Sequence, residues 1–172
     1  MTKQKFKFYV LLLILPAAAL ILGGCGKSVS QIVGEKATEA LIENQTGGAA
    51  KVDINSGNVK VNTAEGSFES GTNIKLPADF PKDIYVIDGN IIAAISNQEN
   101  KGFSISIESD KSPEEASTLY QDKLKNDGWK ITGTMNFEGS SSVIAEKDNR
   151  TVSVIIAKND NKTTVTISVG TK

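Results

Sequence analysis

Histidine is absent from the 172 residues, and cysteine occurs once, at position 25. Without histidine, Ser-His-Asp and Cys-His nucleophile activation cannot be assembled, and zinc loses its commonest ligand. A single cysteine forms no intrachain disulfide. Without a disulfide, a domain must rest on core packing, which about 100 residues can supply. Aromatic residues are scarce, at 6%, so few rings are on hand to stack on sugars or bases. Charge of one sign is not in large excess either, since the net value is −1. Residues 1–24 contain Lys3, Lys5 and Lys7 and no acid, which leaves 16 basic and 20 acidic residues beyond them. A mildly acidic body repels phosphate backbones and anionic headgroups, which argues against a nucleic-acid partner.

No apolar run reaches the roughly 20 residues that a helix needs to span a bilayer. The longest is Phe8–Leu22, 15 residues that include Pro16 and follow the lysines. A basic start, a short apolar stretch and small residues at its end form the pattern of a cleavable export signal. The stretch ends in Leu22-Gly23-Gly24-Cys25, and polar sequence follows at once. These four residues resemble the lipobox of bacterial lipoproteins. The resemblance implies recognition of Leu22, Gly23 and Gly24 by the signal peptidase, cleavage after Gly24, and diacylglycerol or palmitate on Cys25. One acyl chain holds a protein on a membrane only marginally, whereas two or three make a durable anchor. The expected location is therefore the cell membrane or the outer membrane, facing away from the cytoplasm. Gly26, rather than Asp, follows the cysteine, which favours outer-membrane delivery in a two-membrane cell.

Beyond the anchor, residues 25–50 read as a tether with a short helix. Ser28 can cap it, and Val29, Ile32, Val33, Ala37, Ala40 and Leu41 recur at roughly helical spacing. Gly47-Gly48 stops it. This helix could dock on the globular part or lie on the bilayer, and Glu35, Glu39 and Glu43 favour docking. Residues 51–71 change period. Val52 and Ile54, then Val59 and Val61, alternate around Ser56-Gly57-Asn58, predicting a small hairpin, with a short third strand over Ser67–Glu69. The two prolines of Leu76–Asp83 predict a stiff linker into a domain over 72–172.

In that domain Ile91, Ala93 and Ile95 alternate, as do Phe103, Ile105 and Ile107. Ser112-Pro113-Glu114-Glu115 opens a helix with a capping box, and Gly128 closes it. Trp129, Ile131, Met135 and Phe137 share one face of a following strand. Gly139–Ser142 reads as a loop. Val143–Lys147, Val152–Ile156 and Val165–Val169 complete the pattern. The expectation is an α+β fold in two layers. An antiparallel sheet of about five or six strands, in the order strand-strand-helix-four strands, is covered by one helix and preceded by the short helix and hairpin. The Leu76-Pro77, Phe80-Pro81, Ser112–Glu115 and Lys125–Trp129 marks resemble the globular part of small uncharacterised bacterial lipoproteins. That resemblance implies exposure in the envelope and carries over no catalytic residue.

Candidate chemistry is thin. Asp79, Asp83 and Asp88, and Glu108 with Asp110, could pair for glycoside chemistry, but they read more simply as surface acids and turn formers. Asp53–Asn58 has the oxygen-rich look of a calcium loop, yet Ala64 stands where the bidentate Glu belongs. Asn159-Asp160-Asn161 fits a hairpin tip. Ser140-Ser141-Ser142 would need Lys147 or Lys158 as a base. Trp129, directly after the helix stop, reads as core rather than as a sugar platform. No catalytic, cofactor or metal residue is assigned, and the chain is not read as an enzyme. The leading expectation is a non-enzymatic, membrane-anchored envelope lipoprotein that makes protein contacts or supports an assembly. The alternative is a module binding a small ligand or cell-wall glycan at the sheet face or a helix–sheet cleft.

Overall fold

The computed structural model describes residues 29–172, with side chains from 35 onward. The signal segment 1–24, the Leu22-Gly23-Gly24 motif and Cys25 lie outside the described residues. The chain divides into two compact units, one ending at Ala64 and the other comprising Glu65–Lys172.

The first unit holds α1 (Val29–Gln45), β1 (Ala50–Asn55) and β2 (Asn58–Thr63). β1 and β2 form the expected hairpin, with Val52 opposite Val61 and Ile54 opposite Val59. Ser56 and Gly57 both take positive φ, the two-residue turn whose twist matches the strands. α1 packs on β1, but not through the apolar stripe read from sequence. Ala37, Ala40 and Leu41 are exposed, while the side chains of Val29, Ile32 and Val33 lie outside the described residues. Instead, Glu39 Oε1 accepts the Ile54 N–H at 2.6 Å and Glu43 Oε1 accepts the Val52 N–H at 3.2 Å. Two carboxylates one helical turn apart thus cap the backbone donors of β1 that its partner strand leaves unbonded. Lys36 neutralises Glu39 at 2.8 Å.

The second unit contains seven strands and one helix. They are β3 (Gly66–Ser70), β4 (Asn90–Asn97), β5 (Gly102–Ser109), α2 (Pro113–Asn126), β6 (Lys130–Phe137), β7 (Ser140–Lys147), β8 (Arg150–Asn159) and β9 (Lys162–Thr171). Within this unit the antiparallel order is β3-β4-β5-β9-β8-β7-β6. The class is α+β with a large antiparallel sheet. The strand count differs from expectation: the described residues contain nine, seven of them here, not five or six. β3, read as part of the hairpin segment, pairs with β4 along its whole length.

α2 begins and ends as its sequence dictates. Ser112 Oγ accepts from Glu115 N–H, and Glu115 Oε2 accepts from Ser112 N–H. At the other end Gly128, at φ 81°, lets its own N–H reach Lys125 and the Trp129 N–H reach Leu124. The helix lays Ala116, Tyr120 and Leu124 over β6–β8. The rest of the core face is covered by residues 71–89, which are no linker. Ile74, Phe80, Ile84 and Ile87 all join the core. Pro77 and Pro81 instead supply the carbonyls of two consecutive turns, accepting from Phe80 and Ile84.

Two further departures share a cause. β4 carries a bulge between Ile91 and Ala93, and β6 carries one between Ile131 and Gly133. One extra residue reverses the parity of everything beyond it. Ile91 and Ile131 therefore pack on the core, whereas Ile95, Met135 and Phe137 come out 44%, 52% and 70% exposed. Trp129, Ile131, Met135 and Phe137 do not share a face. Ser140–Ser142, expected in a loop, opens β7 directly after the turn Glu138-Gly139.

Candidate functional site

The most built-up polar cluster lies where the cap meets the sheet. Arg150, the only arginine in the chain, starts β8. Its guanidinium donates to both oxygens of Asp83, at 2.9 and 2.6 Å. Lys147, ending β7, adds a contact to Asp83 at 3.3 Å and donates to the Asp127 carbonyl at 2.8 Å. Trp129 is buried, its indole N–H donating to the Asp83 carbonyl at 3.3 Å, and Arg150 stacks 5.0 Å from the ring centroid. The bidentate bond from Arg150 is the main reason the Asp83 carboxyl is held down at about 2, with partial burial opposing it. This cluster bolts residues 77–84 to the sheet.

Beside that bolt, a bowl of about 530 Å³ opens between the cap, the β4–β5 turn and the ends of β8 and β9. Phe103 and Val169, paired across β5 and β9, form its floor with Pro81. Phe80 braces Phe103 from below, edge to face at 5.8 Å. Asn97, Gln98, Lys101, Asn149, Arg150 and Thr171 form the rim, with Asp79. The rim turn is fixed by its own amides, since Asn97 Oδ1 accepts from Glu99 and Asn100, and Thr171 donates to the Asn100 carbonyl. An apolar floor under a few convergent polar groups, at this volume, is the usual form of a small-ligand site.

The other sequence candidates do not converge. Asp79 lines the bowl, Asp83 sits in the bolt, and Asp110 pairs with Lys162. The Asp88 carbonyl accepts from Ser109 at 2.9 Å. Asp53 faces Lys60 across the hairpin, and no group of three acidic or sulfur ligands gathers among the described residues. Ser141 is buried beside Ser117 and Asn136 in a smaller recess of about 250 Å³ between α2 and the sheet. Its hydroxyl meets no lysine, since Lys147 is engaged at the bolt and Lys158 is exposed on β8. The bowl itself was missed from sequence. The lone arginine was the signal that could have found it.

A family model described as START domain-like matches residues 91–170, from the start of β4 almost to the end of β9. No curated protein matches the chain. No described helix is long and apolar enough to cross a membrane.

Proposed function

We propose that this chain is a lipid-anchored envelope protein whose second unit binds a small amphipathic ligand in the bowl and performs no chemistry on it. The observation that carries the reading is the pairing of an apolar floor, Phe103 and Val169, with a rim of amides and two cations, Lys101 and Arg150. The START domain-like match over most of the same unit supports a binding module. The core gives the ligand no alternative berth, because Ile105, Ile107, Tyr120, Val143, Val152 and Ile167 are fully enclosed by neighbours. A ligand must therefore sit at the surface, with its apolar part on Phe103 and its polar end at Lys101. Acyl chains on Cys25 would keep such a module at a membrane surface, where amphiphiles concentrate.

Two experiments test this. A medium-chain fatty acid and an alkyl phosphate, with an alkyl glucoside as the uncharged comparison, are titrated into the protein by NMR. The expected result is shift changes at Asn97, Asn149 and Gly170, weakened in Lys101→Glu. At 100 times the dissociation constant, the bound ligand adds about 2.7 kcal/mol of stability. Silence at these amides with all three probes overturns the bowl. For the anchor, radiolabelled palmitate is incorporated by the wild type and lost in Cys25→Ala. Equal labelling of both, or residues 1–24 retained in the native protein, overturns that part.

A further inference from the structure

We infer that β6 is the seam of a symmetric homodimer, in which two copies of this chain pair edge to edge with Met135 on the two-fold axis. Among the described residues β6 has a strand on one side only, β7. The outward backbone groups can be identified. The Lys158 N–H donates to the Gly139 carbonyl at 2.8 Å, so the backbone of Ser140 points away from β8 and toward β6. Its partner Phe137 therefore bonds to β7, and so does Met135 two residues on. Thr134 and Asn136, between them, direct their N–H and C=O groups to the open edge. Two of the usual guards of such an edge are missing, since Ile131–Phe137 contains no charge and no proline, and the bulge that guards its start leaves Gly133–Phe137 regular.

The bulge and the turn fix the register. Between them lies one regular stretch, Gly133–Phe137, whose centre is Met135. Antiparallel pairing about that centre sets Met135 against Met135 of the second copy and Thr134 against its Asn136. All the outward groups of the stretch are then bonded. Phe137 falls opposite Gly133 of the second copy, where a side chain would meet only Ile144, at 3.8 Å. The ring, 70% exposed in a single copy, thus gains a bare backbone to cover. A dyad one residue earlier, at Thr134, would run the ladder into the bulge, and one at Asn136 would run it into the turn. Lys130 and Glu138 bracket the stretch, and the antiparallel arrangement brings each toward the opposite charge of the other copy. Five residues from each copy make a small seam, so association is concentration-dependent and weak.

The test is a cysteine scan of β6 in the full chain, in detergent, under mild oxidation, with sedimentation velocity alongside. The wild type, which carries Cys25, is the control. Met135→Cys gives the strongest disulfide-linked dimer, with Gly133→Cys and Phe137→Cys far weaker. The unmodified chain shows dimer rising with concentration. Asn136→Pro, which removes an outward N–H at an edge position that tolerates proline, shifts the chain to monomer with thermal unfolding unchanged. Should that variant misfold, Met135→Lys sets like charges on the axis and weakens association about tenfold or more. A chain monomeric at every accessible concentration, a cross-linking maximum away from position 135, or pairing of β6 with a different protein overturns the inference.

Discussion

Replacing Asp83 with Asn keeps the side-chain shape and removes the charge that Arg150 and Lys147 converge on. The carboxyl is held at about 2 against an ordinary value of 3.8. In full, that displacement corresponds to roughly 2.4 kcal/mol at about 1.36 kcal/mol per pH unit. Asp83 is a third exposed, at 33%, so solvent screening brings the expected loss down to about 1–1.5 kcal/mol. That should lower the melting temperature by roughly 3–5 °C for a chain of this size. The pH dependence has a definite sign. A carboxyl depressed in the folded state contributes fully above its unfolded value and loses that contribution as pH falls toward its folded value. The gap between wild type and Asp83→Asn should therefore stay constant from pH 7 down to about 5, then close between pH 4 and 2. Urea titrations followed by the fluorescence of Trp129, the single tryptophan, report on this cluster directly. Equal stability of the two proteins at pH 7, or an undiminished gap at pH 2.5, would refute the bolt.

Three further outcomes follow from other contacts. Ser112→Ala removes the acceptor for the Glu115 N–H and should cost about 1 kcal/mol in urea denaturation. Met135→Ser and Phe137→Ser, on the exposed side of the bulge, should each change stability by less than about 0.5 kcal/mol, whereas Ile131→Ala should cost about 2 kcal/mol. Similar costs at all three positions would contradict the bulge. Glu39→Ala leaves the Ile54 N–H without its carboxylate and should cost about 1–3 kcal/mol. Hydrogen exchange at the Ile54 amide should accelerate while that at Asp53 changes less.

What the sequence disclosed was what is locally encoded. α2 was legible because its cap, its proline and its stop glycine are all contiguous signals, and each does in the fold what its chemistry requires. The hairpin tips at Ser56-Gly57 and Asp160-Asn161 were legible for the same reason, whereas the Glu138-Gly139 tip was not. The cap over the core was not, because Ile74, Phe80, Ile84 and Ile87 follow no period that a helix or strand template would match. α1 misled for a different reason. Its apolar residues repeat on one side, but two unbonded strand donors attract carboxylates more strongly than a sheet edge attracts Ala37, Ala40 or Leu41. The bowl draws on four segments far apart in sequence, and only the uniqueness of Arg150 marked it.

The bulges show most plainly why alternation alone misassigns a face. From Trp129 through β6 the odd positions 129, 131, 135 and 137 are all apolar, and a regular strand would bury them together. Inserting one residue costs a ladder bond and nothing in composition, so the pattern looks unbroken. Gly133 was the one visible warning, since an isolated glycine in a strand often accompanies a bulge. The consequence is specific. Across the middle of the outward face, Ser104 bonds Ser168 and Ser106 bonds Thr166, each pair at 3.0 Å. Those hydroxyls satisfy one another. The apolar side chains turned outward by the bulges differ in their surroundings: Ile95 on one flank lies opposite Phe68 of β3, whereas Met135 and Phe137 on the other lie opposite Ser142 and Ser140. Regular strands would have placed them in the core at no cost in sequence. The β6 bulge alone brings Met135 and Phe137 out at the edge strand, and that is the apolar surface which the proposed pairing of two copies would cover.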